Sequence, residues 1–281
     1  MNITSNDVKK LREQTGAGIM DCKRALTESQ GNFTKAERLL KERGMVAAAA
    51  RKERITNEGR IACSLNQNKA VLIELACETD FAARNEKFIQ LSQQIADIIA
   101  SSKNYKNELE EKILSAVSII KENITLRRSA TLNLADQDIV EGYIHGEEGR
   151  AGCIVAISCT PKTTLENKQI HAFLHDLALH ITAFRPKFLR PEDVPMSYIQ
   201  EQKEIFTKQT ESLNKAPQII QNIVEGKLKK HFKEICCTEQ AFVKDEKNSV
   251  QSILQTLAKN THTTLRIVGY KVFLAGDDDV C

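Results

Sequence analysis

The hydrophobic pattern of the chain repeats at an offset of 82 positions, between about residue 59 and residue 183. Leu75-Ala76-Cys77 lines up with Ile157-Ser158-Cys159, and Phe88 lines up with Ile170. Each copy has the pattern of a strand, a turn, an apolar strand, a loop and an amphipathic helix. Because two strands joined by a short turn pair antiparallel, the repeat predicts two related α+β units with antiparallel sheets.

The N-terminal residues have a different pattern, typical of a compact bundle of three short helices. Ser5 or Asn6 can cap the first helix, and Thr15-Gly16-Ala17-Gly18 ends it. The third predicted helix runs from Phe33 and ends before Gly44. We therefore divide the chain into a helical bundle with a linker helix (1–55), a first α+β unit (56–140) and a second α+β unit (141–281) that carries an insertion (192–236).

The insertion is predicted to be a pair of helices. The first carries Ile199, Phe206 and Leu213 at heptad spacing, and Asn214-Lys215-Ala216-Pro217 separates it from the second. A narrow apolar seam on each helix predicts a helical hairpin that packs mainly against itself. Beyond it the pattern predicts a strand over 240–243, a helix over 250–257 and a strand over 265–274.

The charge balance and the glycine pattern exclude several classes of ligand. The net charge is +3, from 40 Lys and Arg against 37 Asp and Glu. A surface of mixed sign does not indicate nucleic acid as a partner. The chain has no G-x-x-x-x-G-K-[ST] or G-x-G-x-x-G motif for nucleotide phosphates. Thr15 to Gly18 could hold an anion, but a plain turn between helices needs the same glycines, and we favour the turn.

The histidines offer little support for a metal site. His171 and His175 stand at i,i+4 spacing on one predicted helix, a spacing that could hold zinc. The glutamate of the zinc-protease motif is absent from this segment, and no third ligand is apparent nearby. His180 lies on the apolar face of the same helix, which favours a hydrogen-bonded core histidine. We therefore expect no metal and no other cofactor.

The cysteines and the N-terminus indicate a cytoplasmic protein. The first residues lack a basic segment followed by an apolar one, and no run of about 18 apolar residues occurs. Neither secretion nor membrane insertion is therefore expected. Most cysteines lie in apolar runs, which is typical of buried, reduced thiols. They are Cys22, Cys63, Cys77, Cys153, Cys159, Cys236, Cys237 and Cys281.

The loop after the apolar strand differs between the two copies. Cys77-Glu78-Thr79-Asp80-Phe81 corresponds to Cys159-Thr160-Pro161-Lys162-Thr163. Both copies share the needs of the scaffold, so the difference indicates a task that belongs to the first copy alone. The alternative is structural: Phe81 would pack into its own core, and Asp80 would cap a helix that begins at Ala82.

Two long segments carry a resemblance to a known family: LREQTGAGIMDCKRAL at residues 11–26 and ETDFAARN at residues 78–85. The first is similar to the N-terminal signature, and the second to the T-D-F-V loop, of the elongation factor Ts family of bacterial translation factors. Shorter matches follow in order at 122–124, 127–128, 143–146, 177–181, 190–194 and 223–230. The resemblance covers nearly the whole chain. It implies an α+β fold with a ubiquitin-associated-like three-helix bundle, a duplicated core with antiparallel sheets and a protruding coiled-coil hairpin.

The resemblance also implies a function and a partner. Members of the family are guanine-nucleotide exchange factors for elongation factor Tu. They associate with the GDP-bound GTPase and promote GDP release during translation elongation. Such a factor needs no covalent chemistry, so the chain is expected not to be an enzyme and to act on no small-molecule substrate of its own.

Residue-by-residue matching implies where the partner is contacted. The T-D-F loop of the family enters the GTPase domain near the Mg²⁺ of the nucleotide. Thr79, Asp80, Phe81 and Ala82 thereby become the wedge that dislocates this ion. The N-terminal module grips the same domain. The other implied contacts are Thr15, Gly16, Ala17, Gly18, Met20, Lys23, Ile120, Lys121, His145, Val243 and Lys244.

The sequence departs from the family pattern at three places. Ala82 stands where valine is expected, and Lys121 stands where glycine is expected after Ile120. The chain stops at residues 276–281, where some relatives carry a further helical module. A docking contact made by that module is therefore expected to be missing.

Two other classes of function compete with an exchange factor. An interaction scaffold would use the N-terminal bundle to bind peptides or ubiquitin-like proteins, and Asp80 and Phe81 would then be dispensable. An enzyme could pair Cys77 with His145 as nucleophile and base. The apolar strand around Cys77 offers nothing that lowers a thiol pKa, which argues against the enzyme.

Overall fold

Three short helices form the N-terminal bundle of the computed structural model, which describes residues 3–102, 104–161, 166–211 and 216–277. Thr4 caps the first helix, and its side chain forms a capping box with Asp7. The prediction of Ser5 or Asn6 as the cap was therefore wrong. The helices are α1 (Ser5–Thr15), α2 (Ile19–Glu28) and α3 (Phe33–Ala49). Their small core consists of Val8, Leu11, Cys22, Ala25, Leu26 and Ala36.

The third helix does not end before Gly44, as the sequence pattern predicted, but continues to Ala49. Gly44 is buried against α6 (Lys106–Ile120), where a β-carbon on it would lie 2.1 Å from the hydroxyl oxygen of Ser118. A glycine near a helix end indicates a stop because its backbone is free. Here its missing side chain instead lets two helices cross closely, so the bundle packs directly on the rest of the protein.

The first repeat forms an antiparallel sheet with a helix on one face. Its strands are β1 (Glu58–Leu65), β2 (Lys69–Cys77) and β3 (Thr125–Asn133), in this order. The central strand β2 is buried at all but its first position, as expected of a strand that is covered on both faces. The helix is α5 (Glu86–Ser101). The core beneath it contains Val71, Ile73, Leu75, Phe88, Ile95, Ile99 and Val117.

The second repeat has the same architecture. Its strands are β4 (Asp138–His145), β5 (Ala151–Thr160) and β8 (Thr264–Leu274), and its helix is α7 (Lys168–Phe184). Helix α5 begins at Glu86 and α7 begins at Lys168, which reproduces the offset of 82 residues. The predicted α+β fold with a duplicated antiparallel core is thereby confirmed.

The two sheets pack against each other through the faces that their helices leave open. Apolar side chains of both sheets form one cluster, which includes Ile61 and Leu72 from the first sheet and Ile154 and Phe273 from the second. Glu74 is fully buried within β2. The two repeats therefore share an interior, and they bury a carboxylate close to it.

The insertion is a helical hairpin, as predicted. It consists of α8 (Met196–Glu211) and α9 (Pro217–Ile235). At its base the Tyr198 hydroxyl and His231 Nε2 lie 3.0 Å apart, and Phe188 and Phe232 pack beside them. Some residues of the predicted seam, turns and acidic tail lie outside the described residues: Lys162, Thr163, Leu213, Asn214, Lys215 and residues 278–281.

A short β-hairpin and a helix lead from the helical hairpin to the last strand. They are β6 (Ala241–Phe242), β7 (Asp245–Ser249) and α10 (Val250–Asn260). The strand predicted over 240–243 is confirmed only for its two central residues. Val243 and Lys244 instead form the turn between β6 and β7. Within the described parts of the chain, no helix is long and apolar enough to cross a bilayer.

Candidate functional site

The most exposed large aromatic side chain of the described residues is Phe81. It lies in the single-turn helix α4 (Asp80–Ala83), and 83% of its surface is accessible to solvent. The alternative in which Phe81 packs into its own core is therefore wrong. Ala82, in contrast, is buried in the core of the first repeat, so this side chain faces away from the surface. The buried alanines Ala82 and Ala83 thus anchor α4 in the core, while the ring of Phe81 projects into solvent.

Thr79, and not Asp80, caps α4. The Thr79 side-chain oxygen accepts the backbone N–H of Ala82 at 3.2 Å. The same hydroxyl donates to Glu122 Oε1 at 2.6 Å. Glu122 Oε2 accepts the backbone N–H groups of Glu78 and Thr79, each at 3.0 Å. A carboxylate that lies 43 residues away in the chain therefore holds the entry to α4.

The carboxylate of Asp80 lies on the surface beside a cation. Arg84 reaches Asp80 at 3.5 Å and Glu148 at 2.8 Å, and all three side chains are about half exposed. Glu148 belongs to the turn between β4 and β5, which Arg60 supports by donating to the carbonyl oxygen of Glu147 at 2.7 Å. Ion pairs at this exposure are weak, so Asp80 can exchange Arg84 for another cation at little cost.

The turn between α1 and α2 lies against the same region of the core. Gly16 ends α1 with a φ of 67°, a left-handed conformation that favours glycine. A β-carbon on it would lie 2.9 Å from Ile119 Cδ1 and 3.9 Å from Lys87 Nζ. Lys87 follows Phe81 by six positions, so the turn lies near the start of α5. Thr15 stabilises the turn by donating its hydroxyl to the carbonyl oxygen of Leu11 at 2.7 Å.

Helix α2 presents apolar side chains to solvent at its first turn. Met20 is 71% exposed and Ile19 is 55% exposed, while Lys23 is exposed one turn later. Ala17 packs partly into the bundle core. The surface of α2 around Met20 is therefore a second apolar patch. The family resemblance implied Met20 and Lys23 as partner contacts here, but not Ile19.

The end of α6 connects these two surfaces. Ile120 packs against the core of the first repeat and is only partly exposed. Lys121 caps the helix with a φ of 67°, and its ammonium group lies 3.7 Å from Asp21 at the start of α2. Glu122, the next residue, binds Thr79. The assigned residues Ile120 and Lys121 thus lie between the bundle and α4.

The remaining assigned residues belong to the second repeat. The Tyr143 hydroxyl lies 2.9 Å from His145 Nδ1 at the exposed end of β4. Lys244 pairs with Asp176 of α7 at 3.5 Å, and Val243 packs against the core beneath α7. These contacts place Val243 and Lys244 beside α7 and not beside α4.

Neither the paired histidines nor the cysteines form a reactive centre in the described residues. His175 Nδ1 lies 2.9 Å from a carboxylate oxygen of Glu141, so His175 pairs with an acid. No group of three or more His, Cys, Asp or Glu side chains suited to a metal ion occurs in the described part. The Cys77 thiol donates to the carbonyl oxygen of Thr79 at 3.2 Å, and burial raises its pKa to about 12. A thiol that stays protonated at neutral pH is a poor nucleophile.

Three residues at the site were not singled out from the sequence. Glu122 and Arg84 lay inside segments that resembled the family, but no role was assigned to them, and Ile19 was passed over beside Met20. The spacing of 43 residues between Thr79 and Glu122 leaves no local signal in the sequence. Exposure of an apolar residue on a short helix likewise has no signature in a periodic pattern.

Comparison with known proteins places these features in a family. A family profile described as Elongation factor TS matches residues 78–277. A protein of Treponema denticola named Elongation factor Ts is 38% identical over 279 residues, which cover 98% of this chain and 99% of that protein. A protein of Borreliella burgdorferi with the same name is 40% identical over 278 residues, which cover 98% of this chain and 99% of that protein. A protein of Borrelia recurrentis, also named Elongation factor Ts, is 37% identical over 278 residues, which cover 98% of this chain and 100% of that protein.

Proposed function

The chain belongs to the elongation factor Ts family, and from this we propose that it binds GDP-bound elongation factor Tu and promotes the release of GDP. Membership makes it a translation elongation factor, which acts in protein biosynthesis. The finer proposal is that of a guanine-nucleotide exchange factor that works in the cytoplasm without covalent chemistry. GTP then binds the emptied partner.

The observation that carries the proposal is the exposure of Phe81 on a firmly held helix. An aromatic ring left 83% in solvent loses nothing within its own chain when it enters a pocket on another protein. Burying it there contributes on the order of 2 kcal/mol. This free energy can displace the partner's elements that hold the Mg²⁺ of the nucleotide, and the carboxylate of Asp80 enters beside the ring.

The release of GDP by such a wedge needs no reactive group. A nucleotide held by Mg²⁺ and a phosphate loop dissociates faster once those contacts are disturbed. Because thermodynamic linkage is reciprocal, a factor that weakens nucleotide binding is itself displaced when GTP binds. One molecule of the factor can therefore act on many partners in turn.

The exposed patch on α2 suits the role of a grip on the same partner. Ile19 and Met20 are apolar and solvent-exposed, and Lys23 adds a cation beside them. We propose that residues 1–55 supply this grip and that residues 56–140 carry the wedge. Residues 141–281, which include the hairpin insertion at 192–236, then contribute the second-tier contacts at His145, Val243 and Lys244.

The proposal is tested by measuring the release of a fluorescent GDP analogue from elongation factor Tu in a stopped-flow instrument. A Phe81→Ala variant should accelerate release roughly thirtyfold less than the unchanged chain, since about 2 kcal/mol of burial is lost. Its own unfolding should change little because the ring is exposed. Met196→Ala, which removes an apolar side chain that is 77% exposed on the helical hairpin, is the matched control.

Full acceleration by Phe81→Ala would contradict the wedge. An equal loss in Phe81→Ala and Met196→Ala would also contradict it, because any exposed apolar residue would then have the same effect. No acceleration by the unchanged chain would favour the alternative of an interaction scaffold, in which the N-terminal bundle does the binding and α4 is dispensable.

A further inference from the structure

Residues 121–123, which we call the junction segment, contact three separate parts of the chain. Lys121 reaches Asp21 at the start of α2, as described above. The Asn123 side chain donates to the carbonyl oxygens of Arg54, at 2.8 Å, and Lys52, at 3.3 Å. These carbonyl groups belong to the connection between α3 and β1. The junction segment is thus positioned against both the helical bundle and its linker.

The third contact of the junction segment is with the entry to α4, through Glu122. Its two carboxylate oxygens accept three hydrogen bonds, from the backbone N–H groups of Glu78 and Thr79 and from the Thr79 hydroxyl. In return, the backbone N–H of Asn123 donates to a carboxylate oxygen of Glu78 at 2.6 Å. The two segments therefore exchange backbone-to-carboxylate bonds in both directions.

The hydrogen bonds of the junction segment matter because α4 is too short to keep its conformation without them. A helix of four residues forms too few internal hydrogen bonds to be stable alone. Ala82 and Ala83 anchor one side of it in the core, and Thr79 supplies the cap at its start. The direction of the exposed Phe81 ring then depends on how firmly the residues before α4 are held.

We infer that Glu122 is a positioning residue, which fixes the direction of the Phe81 ring relative to the surface of α2 through the hydrogen bonds of the junction segment. Its consequence for GDP release rests on the proposed function, whereas its effect on the ring does not. A carboxylate suits the task because both of its oxygens accept. An amide in its place would point an NH2 group at one set of these donors.

The absence of tryptophan from the sequence allows a direct measurement of this role. Phe81→Trp places a single indole at the exposed position, and its fluorescence anisotropy reports how freely the side chain moves. Adding Glu122→Gln should lower the anisotropy under fully native conditions. Adding Glu110→Gln, the same change at an exposed position of α6, should leave it unchanged.

The second measurement is a double-mutant cycle in the release of fluorescent GDP from elongation factor Tu. Glu122→Gln alone should reduce the acceleration about tenfold, because hydrogen bonds to a charged group are lost. In a chain that already carries Phe81→Ala it should cause no further reduction, since the ring through which Glu122 acts is absent. A loss of general stability would reduce the rate in both backgrounds.

The two measurements separate the inference from the proposed function. Unchanged anisotropy on Glu122→Gln, or an equal drop with Glu110→Gln, would overturn the positioning role whatever the exchange assay shows. If Phe81→Ala does not affect GDP release, the wedge of the proposed function fails, while a drop in anisotropy specific to Glu122→Gln would still establish that Glu122 positions the side chain.

Discussion

The buried carboxylate of Glu74 accepts the backbone N–H of Gly276 at 2.8 Å, across 202 positions of the sequence. The same carboxylate pairs with Arg128 at 2.7 Å and with Arg127 at 3.3 Å. Arg128 in turn lies over the ring of Phe273 in β8, 4.3 Å from its centroid. One fully buried side chain thus connects the two repeats.

Replacing Glu74 should destabilise the whole protein. Glu74→Gln removes a fully buried charge that is paired with Arg127 and Arg128, and breaking such a buried pair costs about 3–5 kcal/mol. Urea unfolding followed by circular dichroism measures the change. Glu28→Gln, which breaks an exposed pair with Arg43, should hardly move the midpoint. Similar midpoints for the two variants would contradict a structural role for the buried charge.

The protein should become less stable as the pH is lowered, because of His180. This histidine is fully buried, Nε2 lies 2.9 Å from Gln240 Oε1, and no partner for Nδ1 is found among the described residues. Burial lowers its pKa below the ordinary value of 6.5. The unfolded chain therefore binds a proton more readily, so stability is full above pH 6.5 and decreases as the pH falls below it.

Urea unfolding between about pH 8 and pH 5 measures this decrease, since His residues titrate in that range. His180→Gln cannot titrate, so its unfolding free energy should fall less steeply than that of the unchanged chain. Parallel curves for the two proteins would show that other groups cause the pH dependence.

Lys121→Gly should stabilise the protein. Lys121 has a φ of 67°, and a left-handed conformation costs a residue with a β-carbon about 1 kcal/mol more than glycine. The lost ion pair with Asp21 is partly exposed and contributes little. Lys121→Ala removes the same ion pair but keeps the β-carbon, so it serves as the control. A lower urea midpoint for Lys121→Gly than for Lys121→Ala would contradict the backbone argument.

The thiols of the folded protein should react slowly with iodoacetamide. Burial raises the pKa of Cys153 and Cys237 to about 12 and that of Cys159 and Cys236 to about 11. Since the thiolate is the reactive form, labelling at about pH 8 should depend on unfolding. The experiment uses a Cys281→Ser variant, because that position lies outside the described residues. Rapid labelling of these four cysteines without urea, detected by mass spectrometry, would contradict their burial.

Shortening the helical hairpin should affect GDP release less than Phe81→Ala does. The hairpin is attached at its base through Tyr198, Phe232 and Ile235, and α8 packs mainly on α9. A short glycine-rich linker in place of residues 205–224 retains this base. The assay is again stopped-flow release of fluorescent GDP from elongation factor Tu. A larger loss than that of Phe81→Ala would show that the hairpin contributes directly to exchange.

The periodic parts of the fold could be predicted from the sequence, and the departures from it have identifiable causes. The repeat of 82 residues correctly related α5 to α7 because both bury the same face on a sheet. Gly44 misled the prediction of α3, since its close contact with Ser118 depends on a helix more than 70 positions away. The strand predicted at 240–243 was too long because a two-residue turn at Val243 had no glycine, asparagine or proline to mark it.

The candidate site was less accessible to prediction than the fold. The difference between the two copies pointed to Asp80 and Phe81, but sequence could not decide whether the ring faced the core or the solvent. Exposure depends on how α4 is oriented, and that orientation depends on Glu122, which no local pattern connects to Thr79. Contacts over such separations become visible only when the chain is folded.

The order of the strands has a consequence for how the protein emerges from a ribosome. In the first repeat β3 follows β2 after three helices, so this sheet can close while later residues are still being synthesised. In the second repeat β5 ends at Thr160, but it can pair with β8 only after residues 264–274 have been synthesised. Until then the long edge of β5 has no neighbour on that side, and an unpaired edge of apolar sequence invites association with other nascent chains. The second half of the molecule is therefore where chaperones should first be needed.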